Sequence, residues 1–316
     1  RDHASDAILD EGALTLARPP LTIASAQYPI GQPASLDDWE DKISDWVAKG
    51  AATGAQLLVF PEYAAIEQAA CFGPEVYSDL QKTLQTVAEL AASRVQLHLD
   101  LAKTHNVHIL VGSGPVLKSD GRFVNAAQLV TPGGLIGEQE KIVMTPFERD
   151  WGISGGAPLR VFDTALGKIA VLICYDSEFP LLARALAEAG AEVILVPSCT
   201  ERVSGFHRVR TGSMARALEN TIATVQSPTV GDALWSPAVD RNEGSAGIYV
   251  PSEQGVSDTG VLAEGPLSRP QWVTATIDLE RLRRVRQTGE MRNYADWSTQ
   301  PGAAPLVRSV ETVSLI

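Results

Sequence analysis

Five apolar residues in a row, Ile169-Ala-Val-Leu-Ile173, run directly into Cys174-Tyr-Asp-Ser-Glu-Phe-Pro180, and no other stretch constrains this chain as much. A short run without polar alternation reads as a strand covered on both faces. Beyond it Phe179, Leu182, Ala183, Leu186 and Ala187 recur at helical spacing, so a turn carrying Cys174 leads from strand to helix. A thiol on such a turn points out of the sheet near a helix N-terminus, whose partial positive charge favours the thiolate. A single cysteine is equally a small packed core residue, so other parts of the chain must decide its role.

The 316 residues allow a sizeable core. With 26 basic and 38 acidic residues the net charge is −12, which repels phosphate backbones and anionic membranes; nucleic acid is not an expected partner. Three widely spaced cysteines form no disulfide framework and fit a reducing compartment. No apolar run approaches the roughly 18 residues of a membrane span, and the N-terminus lacks a signal-peptide pattern. The expected location is the cytoplasm.

Residues 1–20 read as a lead-in ending in Pro19-Pro20. Strands are expected at Leu21–Gln27, around Leu57–Phe60, at Val107–Val111, Ala126–Val130, Ile169–Ile173, Val193–Pro197, Thr221–Val225, Gly247–Val250 and Trp272–Ile277. Ser35-Leu-Asp-Asp38 has the form of a capping box ahead of the helical face Leu36, Trp39, Ile43, Trp46 and Val47. Val76, Leu80, Leu84, Val87 and Leu90 mark a long helical region, bent before Leu97, and another helix is expected near His207 to Asn220. Strands and helices mix without a linker, which predicts one α/β domain over residues 21–280. Residues 281–316 begin with Arg281, Arg283, Arg284 and Arg286 and show no buried-strand pattern until Leu306. They read as an arm on the surface or on a second subunit.

Two polar residues outside the Cys174 turn change its reading. Glu62 follows an apolar strand and Pro61; Lys141 lies in Gly137-Glu-Gln-Glu-Lys-Ile-Val-Met-Thr-Pro-Phe-Glu148. Taken singly, Glu62 reads as a solvated strand end and Lys141 as a surface partner of Glu138 or Glu140. Together with the thiol they supply a nucleophile, a proton carrier and a fixed positive charge, the set that acyl transfer through a thioester requires.

Phe60-Pro-Glu62, Lys141 with Pro146-Phe-Glu148, and Cys174-Tyr-Asp176 with Phe179-Pro180 resemble the three signature segments of the nitrilase (carbon–nitrogen hydrolase) superfamily, in its usual order. Ala215-Arg-Ala-Leu-Glu-Asn220 resembles a fourth. The likeness runs from about Leu21 to about Leu279. It implies a four-layer α-β-β-α sandwich, usually paired with a second subunit through its outer helices, so a homodimer or higher homo-oligomer is expected. It also implies hydrolysis of a non-peptide C–N bond without metal or organic cofactor.

By that resemblance Cys174 is the nucleophile, Glu62 the general base, Lys141 the oxyanion partner with the backbone N–H of Tyr175, and Glu148 a second glutamate that orients the site. A base used twice needs a pKa raised toward neutrality, so Glu62 is expected to be sheltered. Pocket walls are expected from residues 63–75, 144–156, 199–208 and 226–246. Trp151, Trp235, Phe206 and Cys199 are candidate substrate contacts, and Arg202 or Arg208 could meet a substrate carboxylate. Tyr175-Asp176, where true nitrilases usually carry Trp-Glu, tilts the expectation toward an amidase acting on a small amide or N-carbamoyl compound. Nitrile hydrolysis, acyl transfer to an amine and a vestigial site on a binding protein are the alternatives. His105-x-x-His108 lacks a third ligand, and Gly112-Ser-Gly114 and Gly152-Ile-Ser-Gly-Gly156 read as loops without the Lys-Ser/Thr of a P-loop.

Overall fold

The computed structural model describes residues 19–303 and 310–316; most of the lead-in, and Leu306 in the arm, lie outside the described residues. β1 (Leu21–Pro29) passes through α1 (Leu36–Ala52) to β2 (Leu57–Val59). After α2 (Pro74–Tyr77), α3 (Leu80–Glu89) and α4 (Ala91–His105) come β3 (His108–Leu117), β4 (Phe123–Val130) and β5 (Ile136–Glu140). The short α5 (Pro146–Asp150) and β6 (Ile153–Ser154) lead to the hairpin of β7 (Leu159–Thr164) and β8 (Gly167–Val171). Then α6 (Pro180–Glu188), β9 (Val193–Ser198), α7 (Val203–Asn220) and β10 (Ala223–Asp232) alternate. β11 (Arg241–Asn242), β12 (Gly247–Tyr249), β13 (Val261–Glu264) and β14 (Gln271–Ile277) precede α8 (Leu279–Thr288), α9 (Asn293–Asp296) and β15 (Val310–Leu315).

Two sheets result. One has the order β14-β1-β2-β3-β4-β5, the other β15-β7-β8-β9-β10-β12-β13. They are joined where the C-terminal end of β1 pairs in parallel with β10 over Tyr28↔Thr229 and Pro29↔Val230. Side chains alternate faces along a strand, and the alternation sorts the core. Leu21 and Ile23 of β1 and Leu57 and Val59 of β2 pack with Val161, Ile169, Val171 and Leu195 of the facing sheet. Ala24, Ala26 and Tyr28, with Leu58 and Phe60, turn the other way against Trp39, Ile43 and Val47 of α1 and Leu84 and Val87 of α3. Ala183 and Leu186 of α6 and Val209 of α7 cover the second sheet. The result is the expected α-β-β-α sandwich. Each fully buried Leu or Ile contributes on the order of 2 kcal/mol.

Of the capping box expected at Ser35 the N-cap half is present, the Ser35 hydroxyl accepting the Asp38 N–H at 3.1 Å. The predicted bend in the long helical region falls at Leu90, between α3 and α4. Gly112-Ser-Gly114, expected as a loop, lies inside β3. Gly112 has φ +86°, and a Cβ there would collide with the carbonyl oxygen of Pro61; only glycine lets β3 approach the backbone just ahead of Glu62 this closely. The described parts of the arm dock on this chain. α8 buries Leu279 and Leu282, Arg286 donates to the Asn220 carbonyl, and β15 runs parallel to β7. No helix among the described residues is long and apolar enough to cross a membrane.

Candidate active site

The three signature residues all sit just beyond strand ends. Pro61 cannot donate to a ladder, so β2 stops, and Glu62 turns inward where only 1% of it is exposed. Tyr63 completes that turn with φ +57°. Lys141 follows β5 directly; its N–H donates to the Asn125 carbonyl at 2.8 Å and its own carbonyl accepts from the Gly156 N–H at 2.8 Å. It is 1% exposed, so it is no surface lysine; Glu138 and Glu140 pair with Lys118 instead.

Cys174 lies past β8 with φ +49°. A non-glycine residue in the left-handed region costs about 1–2 kcal/mol, and the surroundings hold it there. Ser177 Oγ donates to the Cys174 carbonyl at 2.7 Å, and Arg216, from the fourth signature segment, donates to the Ser177 carbonyl at 3.0 Å. The Asp176 carboxylate accepts the Ile142, Val143 and Ile173 N–H groups.

One expectation about the thiol is overturned. Cys174 opens a five-residue 3-10 turn, Cys174–Glu178, and α6 starts only at Pro180, so the helix that follows the cysteine does not begin at it. Burial and the neighbouring Glu62 push the thiol pKa well up, with Lys141 opposing them.

The charged centre is asymmetric. The Lys141 ammonium donates to Glu62 Oε1 at 2.8 Å and to Glu148 Oε2 at 2.7 Å. Burial alone would lower the Lys141 pKa, but the two carboxylates outweigh it and keep the ammonium charged. Glu148, 2% exposed, is no loop carboxylate beside Arg149. Its Oε1 accepts from Tyr63 Oη at 2.8 Å and Asn125 Nδ2 at 3.0 Å; its Oε2 also takes the Thr145 N–H and hydroxyl, both at 2.9 Å. Burial would raise its pKa, yet Lys141 and these donors hold it below the ordinary value. Glu62 has fewer N–H and O–H donors, Lys141 and Asn125 Nδ2 at 3.0 Å, both on Oε1, and is also a hydrogen-bond partner of the Cys174 thiol. Burial raises its pKa; Lys141 opposes, and the Glu148 charge adds to the rise. The two buried carboxylates are therefore unlike: burial and the Glu148 charge drive the Glu62 pKa up, while Lys141 and a fuller set of donors draw the Glu148 pKa down.

Glu62, Lys141, Glu148, Cys174, Tyr175, Trp151 and Cys199 line one cleft of about 800 Å³. Trp151 packs on Tyr63 with ring centroids 5.8 Å apart, and Cys199 donates to Asn242 Oδ1 at 3.4 Å while its carbonyl lies 3.8 Å from the Cys174 sulfur. Phe206 does not join them. It is 3% exposed and packed inward from α7, because that position falls on the helix face turned to the sheet. Trp235 is also elsewhere, its ring against Tyr77. Arg202 and Arg208 stand at the cleft, Arg208 already paired with Glu178.

Sequence reasoning missed Tyr63, Asn125 and Thr145. Thr145-Pro-Phe-Glu148 is a capping box, and both of its hydrogen bonds form; that pattern was there to read. Asn125, polar inside an otherwise apolar strand, was the other signal.

Residues 22–287 match the family model described as carbon-nitrogen hydrolase. Over 283 residues the chain is 38% identical to a protein named probable hydrolase YhcX from Bacillus subtilis (strain 168), covering 88% of this chain and 53% of that relative. It thus spans about half the relative's length. The crystal structure of Saccharomyces cerevisiae Nit3, a member of branch 10 of the nitrilase superfamily, superposes with TM-score 0.68 at 19% identity, covering 85% of this chain and 93% of that one. A mutant of the amidase from Nesterenkonia sp. AN1, showing Michael addition of acrylamide at its active-site cysteine, gives TM-score 0.64 at 21% identity, covering 89% and 100%. At those identities the likeness is one of fold. The family model spans most of the chain, and so this chain belongs to the carbon–nitrogen hydrolase family.

Proposed function

We propose that this hydrolase is an amidase that releases ammonia from a small amide or N-carbamoyl compound through a thioester on Cys174. Glu62 takes the thiol proton as the sulfur attacks the carbonyl carbon. The negative charge that develops on the carbonyl oxygen is met by the Lys141 ammonium and the Tyr175 N–H. Preorganised donors of this kind are worth on the order of 3 kcal/mol each. The tetrahedral intermediate collapses, the C–N bond breaks, and Glu62 returns the proton to the departing nitrogen. Water then enters, Glu62 removes its proton, and attack on the thioester frees the acid and regenerates the thiol. Glu148 stays ionised throughout, fixing Lys141 and balancing its charge.

The observation that carries this reading is the buried lysine held between two unlike carboxylates in the cleft that also contains the thiol. Tyr175-Asp176 and the amidase among the similar folds favour amides over nitriles. The test is an ammonia-release screen over aliphatic amides, ω-amides, N-carbamoyl compounds and nitriles, with Cys174→Ala as blank. Ammonia from an amide by the parent and not by the variant is expected; equal release by both would end the proposal, and release from nitriles alone would replace it with a nitrilase. Pairing of two copies through the outer helices belongs to the same proposal. Leu181 of α6 and Leu218 of α7 are exposed there, and sedimentation should show at least a dimer.

A further inference from the structure

One side chain outside the signature segments touches the whole charged centre. Asn125, in β4, is fully buried. Its Nδ2 donates to Glu62 Oε1 and to Glu148 Oε1, each at 3.0 Å, while its backbone carbonyl holds the Lys141 N–H at 2.8 Å. The amide cannot be turned over, because a flip would set its oxygen against two carboxylates. In this orientation Oδ1 is buried with no partner among the described residues. A buried polar atom without a partner is destabilising, so this residue type is poorly explained by stability alone.

We infer that Asn125 is a positioning residue of the reaction, tying down one oxygen of Glu62 so that the proton travels through the other. Lys141 and Asn125 both occupy Oε1, and among the described residues no N–H or O–H donor reaches Oε2. A carboxylate held by one oxygen keeps the other aimed at a single target, which serves thiol, leaving nitrogen and water in turn. The bridge to Glu148 also locks the separation of the two glutamates, so their charges stay unequal. The groups facing Glu62 are Lys141 beyond β5, Glu148 of α5, the Cys174 thiol, Tyr63 and Cys199. Asn125 is the uncharged member of that ring, able to donate without adding a titration of its own.

The inference rests on Glu62 being the base, so its test needs arms that separate the two. Alkylation of Cys174 by iodoacetamide, followed across pH by mass spectrometry, requires no knowledge of the substrate. The parent rate should bend where Glu62 ionises. Asn125→Leu removes the donor without adding charge and should move the bend up by about one pH unit, the size of one charge-assisted hydrogen bond, with about tenfold slower labelling below it. Asn125→Asp, which adds an anion, should move it further. Bends that coincide with the parent's in both variants, while melting temperature falls, would reduce Asn125 to a structural role and overturn the inference. A bend that survives Glu62→Gln would overturn it by way of the base assignment instead. Should neither Asn125 variant fold, the parent decides. An asparagine side-chain amide signal in 15N-Asn-labelled protein must titrate with the alkylation bend and stand still in Glu62→Gln; absence of such a signal overturns the inference.

Discussion

The Asp176 carboxylate accepts the Val143 N–H at 2.8 Å, so the turn bearing the nucleophile is fastened to the loop bearing Lys141. Ile142 and Ile173 add N–H bonds at 3.1 and 3.3 Å. Burial pushes the Asp176 pKa up to about 7 against the pull of Lys141 and these donors. Asp176→Asn sets an amide NH2 among N–H groups and orphans at least one of them. Each orphaned buried N–H costs about 1–3 kcal/mol. Denaturant melts should show that loss, and turnover should fall more than tenfold as Lys141 and Cys174 drift out of register; unchanged turnover would remove Asp176 from the site's framework.

Both Cys174→Ala and Cys174→Gly should be inactive, yet they should differ in stability. Alanine keeps the left-handed backbone penalty at φ +49°, whereas glycine adopts that conformation freely. Glycine is therefore expected to be more stable than alanine by about 1 kcal/mol, read as a higher thermal midpoint. The reverse order would mean that the turn carries no strain.

Glu62→Gln and Glu148→Gln should part company. The first removes a charge that burial opposes but also one of the two carboxylates on Lys141, so it should lose turnover at a smaller cost in stability than the second. The second weakens a carboxylate that satisfies Lys141, Thr145, Tyr63 and Asn125 and leaves an under-compensated buried ammonium. Loss of one partner from such a pair costs about 3–5 kcal/mol, and urea midpoints would reveal it.

The same asymmetry fixes the pH dependence. Glu62 must be ionised to accept the thiol proton, so the acid limb of kcat/KM should lie above the ordinary carboxylate range, in line with its raised pKa. For stability the two glutamates act with opposite signs. Glu62, raised on folding, stabilises fully below its unfolded pKa, and that contribution fades as pH rises through the folded value. Glu148, lowered on folding, stabilises above its unfolded pKa and loses that contribution as pH falls through the folded value. Glu148→Gln should therefore flatten the acid side of a melting-temperature profile, and Glu62→Gln should remove the decline that begins as pH rises through the folded Glu62 pKa.

The strands covered on both faces, such as Ile169–Ile173 and Val193–Pro197, were legible because their apolar runs answer to burial alone. β5 was not, since its inward positions are Gly137 and Gln139, and Gln139 is buried by pairing with the Arg160 N–H and the Pro158 carbonyl. β15 finds its partner β7 about half the chain away, a pairing that no local pattern encodes. At the site, Glu62, Lys141 and Cys174 were readable from residue type and order, and Glu148 from its motif. The helix expected directly after Cys174 was not legible in detail, because a 3-10 turn over Cys174–Glu178 comes between the cysteine and α6. Asn125 acts only through three-dimensional neighbours drawn from three separate segments.

The two halves of the chemistry come from different sheets: Glu62, Asn125 and Lys141 from the one built on β1 to β5, Cys174 and Cys199 from the other. Among the described residues the strands of those sheets pair at two positions of β1 and β10, Ser25 and Ser227 add hydroxyl bonds across the same seam, and the slab of Leu57, Val59, Val161, Val171 and their neighbours fills the space between the sheets. Aliphatic packing beneath the cleft, in the same core cluster as Cys174 itself, therefore sets how the groups from the two sheets line up. Trimming it by a methyl group or two should yield a slow enzyme well before it yields an unfolded one.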